Sequence, residues 1–322
     1  MQKIKIGISS CLLGNHVRYD GRNKLLKGLR DRLIRYVDFL AICPEVFSGM
    51  GTPREPMKLE GNPSSPRLIT HTTRMDKTAV LNNWLKKEVP RLADENLDAF
   101  IFKSGSPSCG MEKVEVFDKK GSSVKSGTGL FARAVMSCYP LLPVADELSL
   151  PNTRSLEHFM EMVVVLKSWR KARDSGQPLI AWKEFHLNHR LLLLAHSPGI
   201  YREMNRLIVA HKVRSLKISM SQYELMLVRA LRLKSTSAKN ARCLHMIGAV
   251  LKKIATGAET EKLAGLAADY LRGLAPLYAC LGLARHYAEK YHCSSLAGQT
   301  YLNPHPLLLD LRKYIWRFES PK

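Results

Sequence analysis

The spacing of apolar and polar residues changes character near the middle of the chain. In the first half, short apolar runs alternate with amphipathic segments in which apolar residues recur every three or four positions. The predicted strands are IKIGIS (4–9), VDFLAICPEV (37–46), LDAFIFK (97–103) and PLLPVAD (140–146), and the predicted helices lie within 23–36, 75–96 and 127–138. This alternation predicts an α/β fold, with a Rossmann-like parallel sheet and helices on both of its faces.

The second half shows almost no strand pattern. Between residues 155 and 319 the helical periodicity of apolar residues is interrupted only by short segments rich in Gly, Pro and Ser, such as HSPG and RGLAP. We therefore predict an all-α domain after the α/β domain. The change of pattern lies in DELSLPNTRS (146–155), which predicts two domains, 1–148 and 149–322.

Three of the seven cysteines directly follow predicted strands. Cys11 stands in SSCLLG after the first strand, Cys43 in CPE after the second, and Cys109 in SGSPSCG after the third. The carboxyl ends of parallel strands share one edge of a sheet, and such edges carry binding sites. Three converging thiolates favour either an iron–sulfur cluster with one open iron or a zinc ion with an open position. The remaining cysteines are predicted to be small buried hydrophobic residues.

Charge adds a second expectation. Residues 1–150 hold 23 basic and 16 acidic side chains, whereas residues 151–322 hold 27 and 12, for a net charge of +22 over the whole chain. An excess of this size suits a polyanion such as a nucleic acid, or an anionic membrane surface, although a basic protein without either partner is equally compatible. The absence of a long apolar span and of a secretion signal predicts a cytoplasmic protein without membrane association.

Several segments resemble signatures of known families. ISSCLLG followed by VRYDG, then CPEVFSGMGTPREPM and KSGSPSCG, resembles the thiouracil desulfidase family. NHRLLLLAHS, HMIGAVLKK and YLNPHPLLLDLR in the second half resemble a DUF1722 domain. The combination of the two is similar to bacterial tRNA 4-thiouridine desulfidases. The segment KNARCLHMIGAVLKK departs from the more histidine- and asparagine-rich form usual in that family.

The resemblance implies a [4Fe-4S] cluster held by Cys11, Cys43 and Cys109. It also implies a catalytic role for Glu45, as the base that activates water, and for Ser106, in proton delivery or substrate orientation. Each of the two residues has a simpler interpretation as part of a turn. The implied reaction is a hydrolytic, non-redox conversion of 4-thiouridine to uridine.

A basic helical domain is expected to contact RNA phosphates. Two residues of the first domain, Asp20 and Lys103, are further candidates for substrate contact. Those in the second domain are Arg170, Lys171, Arg190, Lys212, Arg214, Lys252 and Lys253.

Two other functions remain open at this stage. One keeps the chemistry but takes free thiouracil or a thionucleoside as its substrate. The other is a cluster-containing RNA-binding redox sensor without turnover, which would need the three cysteines but not Glu45.

Overall fold

The structure is a computed structural model that describes residues 2–118, 120–210 and 216–319. Two compact units divide the chain, Met1–Phe159 and Met160–Lys322. The division falls inside a helix, α5 (Thr153–Arg173), and therefore later than the sequence-based boundary between residues 148 and 149. The change in sequence pattern marks the last strand, whereas the helix that follows it continues into the second unit.

The first unit is built around a four-stranded parallel sheet, which confirms the predicted α/β class. Its strands are β1 (Ile4–Ser9), β2 (Val37–Ile42), β5 (Ala99–Phe102) and β8 (Val144–Asp146), in the order β2-β1-β5-β8. All three neighbouring pairs are parallel. The central strand β5 is buried at all four positions, as expected for an apolar run in a parallel sheet.

A second sheet, which the sequence interpretation missed, accompanies the first. It contains β3 (Met57–Glu60), β4 (Arg67–Thr70), β6 (Val114–Phe117) and β7 (Ser123–Gly127), in the order β4-β3-β6-β7. The outer pairs are antiparallel and the central pair β3–β6 is parallel. The prediction of one parallel sheet was therefore incomplete.

The helices of the first unit are α1 (Lys27–Leu33), α2 (Pro44–Phe47), α3 (Thr78–Arg91) and α4 (Leu130–Cys138). One hydrophobic core joins α3 and α4 to both sheets, and Phe100, Phe102 and Phe131 form its aromatic centre. This packing holds the carboxyl end of β5 rigidly, since the chain there is anchored by two fully buried phenylalanines.

Helices make up the second unit, as predicted. They are the later part of α5, α6 (Pro178–Asn188), α7 (Arg190–His196), α8 (Pro198–Val209), α9 (Leu216–Arg232), α10 (Ser237–Leu251), α11 (Gly257–Leu271), α12 (Leu277–Lys290), α13 (Ser294–Ala297) and α14 (Pro306–Glu319). Among the described residues, no helix is long and apolar enough to cross a membrane.

A buried polar network ties several of these helices together. Glu161 accepts a hydrogen bond from Arg312, at 2.6 Å, and meets the Nε2 atom of His196 at 2.8 Å. The other ring nitrogen of His196 lies 2.6 Å from the carbonyl oxygen of Leu233. Satisfying these groups mutually avoids the cost of burying an unpaired carboxylate or imidazole.

Candidate cysteine site at the carboxyl ends of the parallel strands

The three strand-end cysteines lie where the sequence pattern predicted. Cys11 lies in a short 3₁₀ helix, Ser10–Leu13, that begins directly after β1. Cys43 lies between β2 and α2, and Cys109 lies in the turn that follows β5. Because β2, β1 and β5 are adjacent parallel strands, all three residues belong to the same edge of the sheet. All three are buried, and none forms a disulfide.

The three thiols influence one another electrostatically. Burial raises the pKa of Cys11 to about 11, with a further upward contribution from Cys43. Burial also raises the pKa of Cys109 well above its usual value, and Glu45, Cys43 and Cys11 all raise it further. The three thiols and Glu45 therefore lie within electrostatic reach of one another.

Burial opposes thiolate formation, and nearby donors and cations partly offset it. The pKa of Cys43 is raised by burial, while backbone N–H groups at the start of α2 lower it. Ser9 lowers the pKa of Cys109 through a side-chain hydrogen bond, and the charges of Lys103 and Arg18 lower that of Cys11. Each thiol thus has a local group that stabilises its anionic form, which is the form that binds metals.

The chemistry of the donor set, rather than its spacing, bears on what it can bind. Among the described residues, the three cysteine sulfur atoms do not form a set in which all ligand atoms lie within 4.8 Å of one another, whereas His158, Glu161 and His196 do. Three soft thiolates are usual ligands of an iron–sulfur cluster, so the residue types fit the cluster that the resemblance implies. Ligation of a cluster by Cys11, Cys43 and Cys109 stays a prediction.

The turn SGSPSCG is built to position Cys109. The hydroxyl oxygen of Ser106 accepts hydrogen bonds from the backbone N–H groups of Ser108, at 3.2 Å, and Cys109, at 3.1 Å. A Cβ atom on Gly110 would lie 2.3 Å from the Val114 side chain, so only glycine fits there. Gly105 has a φ of 64°, which glycine adopts without strain.

Ser106, and not Ser108, orients the backbone of Cys109. The Ser108 hydroxyl is fully buried and has no hydrogen-bond partner among the described residues. Ser106 uses its lone pairs within the turn and keeps its proton available for donation.

Glu45 forms a buried ion pair with Arg54. The Nε atom of Arg54 donates to Oε2 of Glu45 at 2.8 Å, and Nη2 donates to the same oxygen. The Arg54 side chain is 9 % exposed and that of Glu45 is 12 % exposed. The third nitrogen, Nη1, donates to the carbonyl oxygens of Val17, at 3.0 Å, and Gly51, at 2.8 Å.

The pair leaves one carboxylate oxygen unoccupied. Oε1 of Glu45 accepts no hydrogen bond from any residue that the structure describes, because both Arg54 donors address Oε2. Glu45 is thus fixed in orientation by one oxygen and presents the other, an arrangement that suits a base acting on water.

Two further candidates of the first unit have protein partners. Lys103 donates to Oε1 of Glu147 at 2.6 Å and to the carbonyl oxygen of Ser104 at 2.8 Å. The Asp20 carboxylate accepts a hydrogen bond from the backbone of Arg22 and lies 3.4 Å from the Arg18 guanidinium. These contacts shape the loops around the thiols, and substrate contact by either residue stays a prediction.

The basic candidates of the second unit are mixed in their surroundings. Lys171, Arg190, Lys252 and Lys253 are exposed, whereas Arg170 is half-buried and has a partner within the protein. Lys212 and Arg214 lie outside the described residues. Nothing in these placements tests RNA contact.

The four remaining cysteines divide into two classes. Cys243 and Cys280 are buried, as predicted for small apolar residues. Cys138 is exposed and Cys293 is half-buried, so the prediction of burial was wrong for Cys138, which ends the amphipathic helix α4 on its solvent side.

Sequence reasoning did not identify Glu147 and Ser9 as site residues, nor the pairing of Arg54 with Glu45. Arg54 and Glu55 both lie in the segment GTPREP, and their side chains connect neighbouring loops. Glu55 does this by accepting hydrogen bonds from Thr73, at 2.8 Å from the backbone nitrogen and 2.5 Å from the hydroxyl. Glu147 and Ser9 gave only one signal, their position at the ends of β8 and β1.

Comparison with known proteins agrees with this geometry. Residues 6–147 match the family model described as 2-thiouracil desulfurase, and residues 190–306 match DUF1722, a family of unknown function. The uncharacterized protein YbbK of Bacillus subtilis (strain 168) is 32% identical over 108 residues, which are 32% of this chain and 71% of that protein. The uncharacterized protein YbgA of Escherichia coli (strain K12) is 26% identical over 151 residues, covering 47% of this chain and 89% of that protein.

A solved structure is also similar in sequence. It is the [4Fe-4S]-dependent thiouracil desulfidase TudS, which is 30% identical, with 46% of this chain and 94% of the other chain covered and a TM-score of 0.38. The family model covers the segment that contains Cys11, Cys43, Glu45 and Cys109. The chain belongs to the 2-thiouracil desulfurase family through residues 6–147, with a DUF1722 domain in residues 190–306.

Proposed function

We propose that this protein hydrolyses the thiocarbonyl group of 4-thiouridine in tRNA and releases uridine and sulfide. A [4Fe-4S] cluster held by Cys11, Cys43 and Cys109 is the cofactor of this proposal. Its main support is the arrangement of Glu45, which offers one free carboxylate oxygen within electrostatic reach of three buried thiols that are not cross-linked.

The reaction needs no electrons. Water supplies the oxygen of the new carbonyl group, the C–S bond breaks, and sulfur leaves as sulfide with the protons that water brought. When bound, the cluster would supply a Lewis-acidic iron to which the soft thiocarbonyl sulfur is well matched. Glu45 takes a proton from the attacking water through Oε1, while Arg54 keeps the carboxylate in place.

Two other residues have supporting roles in the proposal. Ser106 holds the Cys109 backbone and donates its hydroxyl proton towards the substrate or the departing sulfide. Lys103 lowers the negative potential around Cys11, and Glu147 fixes the position of its ammonium group.

The substrate is assigned to tRNA because of the second unit. A free base needs no partner unit with 26 basic and 11 acidic residues, whereas an RNA does, since cationic side chains supply much of RNA affinity. Access to a stacked 4-thiouridine also requires local opening of the RNA, which extended contacts help to offset.

Free thiouracil is the second candidate substrate, and the description of the matching family model favours it. The redox-sensor alternative is less well supported, because a sensor would have no use for Glu45, a carboxylate held with one free oxygen near the thiols.

The test is desulfuration by anaerobically reconstituted protein. Bulk bacterial tRNA, 4-thiouridine nucleoside and thiouracil are offered separately, and loss of near-ultraviolet absorbance is followed with nucleoside analysis of the digested RNA. Glu45→Gln and Cys109→Ser are expected to abolish turnover, and Cys243→Ala, which changes a buried cysteine of the other unit, is the matched control. Turnover of thiouracil alone would retain the chemistry and exclude the tRNA assignment; no turnover with any substrate would exclude the enzyme.

A further inference from the structure

An open recess of about 540 Å³ lies beside α8 in the second unit. Tyr201, Arg202, Asn205 and Arg206 line it. Pairs of these residues lie three and four positions apart on the helix, so they share one helical face. None of them belongs to the cysteine site or to the basic residues selected from the sequence.

The aromatic wall of the recess is held rigidly. The ring of Tyr201 stacks on that of His186, with centroids 4.9 Å apart and planes 1° from parallel. His186 is itself fixed by a 3.1 Å contact between its Nδ1 atom and the hydroxyl of the buried Tyr223. Burial lowers the pKa of His186 to about 4, so this backing ring is neutral at physiological pH. Tyr201 is half-buried and keeps part of its surface towards the recess.

The cations around the recess have no anionic partner within the described part of the chain. Arg202 and Arg206 are exposed and form no ion pair or side-chain hydrogen bond with any part of the chain that the structure describes. The charge of Arg190 acts on both His186 and Tyr201, and Arg190 also lacks an ion pair with the described residues. Some arginines elsewhere in this unit are paired instead, as Arg173 is with Glu224 and Asp174.

A rigid half-exposed aromatic ring beside unpaired guanidinium groups matches the chemistry of an unpaired nucleotide. Bases stack on tyrosine rings, and arginines bind the adjoining phosphates. The Asn205 amide, which also interacts with His186, has further donor and acceptor capacity for a base edge or a ribose hydroxyl. A phosphate alone would leave Tyr201 without a function, and an apolar ligand would leave the arginines desolvated and unpaired.

We infer that this recess binds an unpaired nucleotide of an RNA, with its base on Tyr201 and its flanking phosphates at Arg202 and Arg206. The inference deepens the proposed function and rests on it, because it names where the second unit holds the RNA substrate.

The experiment measures RNA affinity of the full-length protein at several KCl concentrations, with a fluorescently labelled tRNA transcript and a single-stranded oligoribonucleotide as probes. Arg202→Ala/Arg206→Ala should weaken binding and reduce the slope of log affinity against log salt by about 1.4, or about 0.7 for each phosphate that is no longer neutralised. Tyr201→Leu should weaken binding about 5- to 150-fold without changing that slope, because stacking involves no counterion release.

Two controls separate a local site from a diffuse positive field. Arg229→Ala/Lys262→Ala removes the same charge from exposed positions of α9 and α11 and should leave affinity within about twofold, because neither residue lines the recess. Tyr201→Phe keeps the stacking ring and should bind like the wild type. Circular dichroism verifies that each variant is folded. Equal losses in the two double variants, or unchanged affinity of Tyr201→Leu, would overturn the inference.

Turnover of 4-thiouridine nucleoside, measured in parallel, separates this inference from the proposed function. Recess variants should keep nucleoside turnover, because the recess lies outside the cysteine site. Wild-type RNA binding that does not depend on the recess overturns only the inference. Recess-dependent RNA binding without desulfuration of any substrate supports the recess and overturns the proposed enzyme.

Discussion

Arg54 connects the loops around the thiols, and its removal is the most informative single change in the first unit. Arg54→Ala deletes both donors to Oε2 of Glu45 and the donors to the carbonyl oxygens of Val17 and Gly51. Glu45 would remain largely buried, at 12 % side-chain exposure, without a compensating cation. The cost of leaving one member of a buried pair uncompensated is about 3–5 kcal/mol.

The partner variant should cost less. Glu45→Gln removes the negative charge but leaves Arg54 with two carbonyl acceptors and a neutral amide oxygen, so a loss of about 1–3 kcal/mol is expected. The double variant Glu45→Gln/Arg54→Ala lacks both charges, so no buried charge is left without its partner. Its loss should therefore fall short of the sum of the single losses by at least ~1 kcal/mol.

Hydrogen exchange of the cluster-free, full-length protein measures these losses of stability within the first unit. Amides of β1 and β2 report the opening free energy of the first unit without interference from the second. Arg133→Ala is the matched control, because Arg133 donates to the carbonyl oxygens of Ser64, at 2.6 Å, and Pro63, at 2.9 Å, but holds no carboxylate. A loss below ~1 kcal/mol for Arg54→Ala, or strict additivity in the double variant, would refute the argument.

Three further outcomes are expected. Cys11→Ser, Cys43→Ser and Cys109→Ser should each reduce bound iron and sulfide after reconstitution to background, whereas Cys243→Ala should retain both. Iron and acid-labile sulfide analysis measures these contents. The cluster-free protein should lose stability from pH 9 towards 11, because unfolded thiols ionise near 9 while Cys11 keeps its proton to about 11; urea unfolding should show a weaker loss in Cys11→Ala. The second unit should lose stability as pH falls from 6.5 to 4, because burial lowers the pKa of both His186 and His189 to about 4 and only the unfolded rings gain protons in that interval. Each ring contributes up to ~3 kcal/mol to this loss. The free energy of unfolding can be measured by urea titration with tryptophan fluorescence. If it had the same pH dependence in His189→Gln as in the wild type, this expectation would be contradicted.

The parallel sheet was predictable because its strands are short segments in which apolar residues dominate. β5, for example, is buried at every position, and no competing helical period exists in so short a run. The second sheet has four- and five-residue strands between turns rich in Pro and Gly, and it was missed. Only β6 and β7 carry a readable signal, since Val114–Phe117 alternates in burial and a turn follows it.

The cysteine edge was predictable for a topological reason, but its polar partners were not. A residue directly after a parallel strand has a known destination, the carboxyl edge of the sheet. Which arginine meets Glu45 depends on the path of the loops instead. Arg18 also lies close to the thiols, but its guanidinium group faces Asp20. The loop that carries Arg54 is held near Glu45 in part by a hydrogen bond that the Arg54 backbone N–H donates to the carbonyl oxygen of Tyr19, at 2.9 Å.

Cations near the thiols and cations at the recess differ in their protein partners, and this difference bears on where an RNA would bind under the proposed function. Near the thiols, Arg54 is committed to Glu45, Lys103 to Glu147 and Arg18 to Asp20. Those cations are already neutralised by protein carboxylates, so an incoming phosphate would compete with buried or short ion pairs. Arg202 and Arg206 have no such competitor among the described residues. A phosphate at Arg202 and Arg206 would therefore displace no such ion pair, and charge that counts equally towards the net value of +22 is unequal in its capacity to bind RNA.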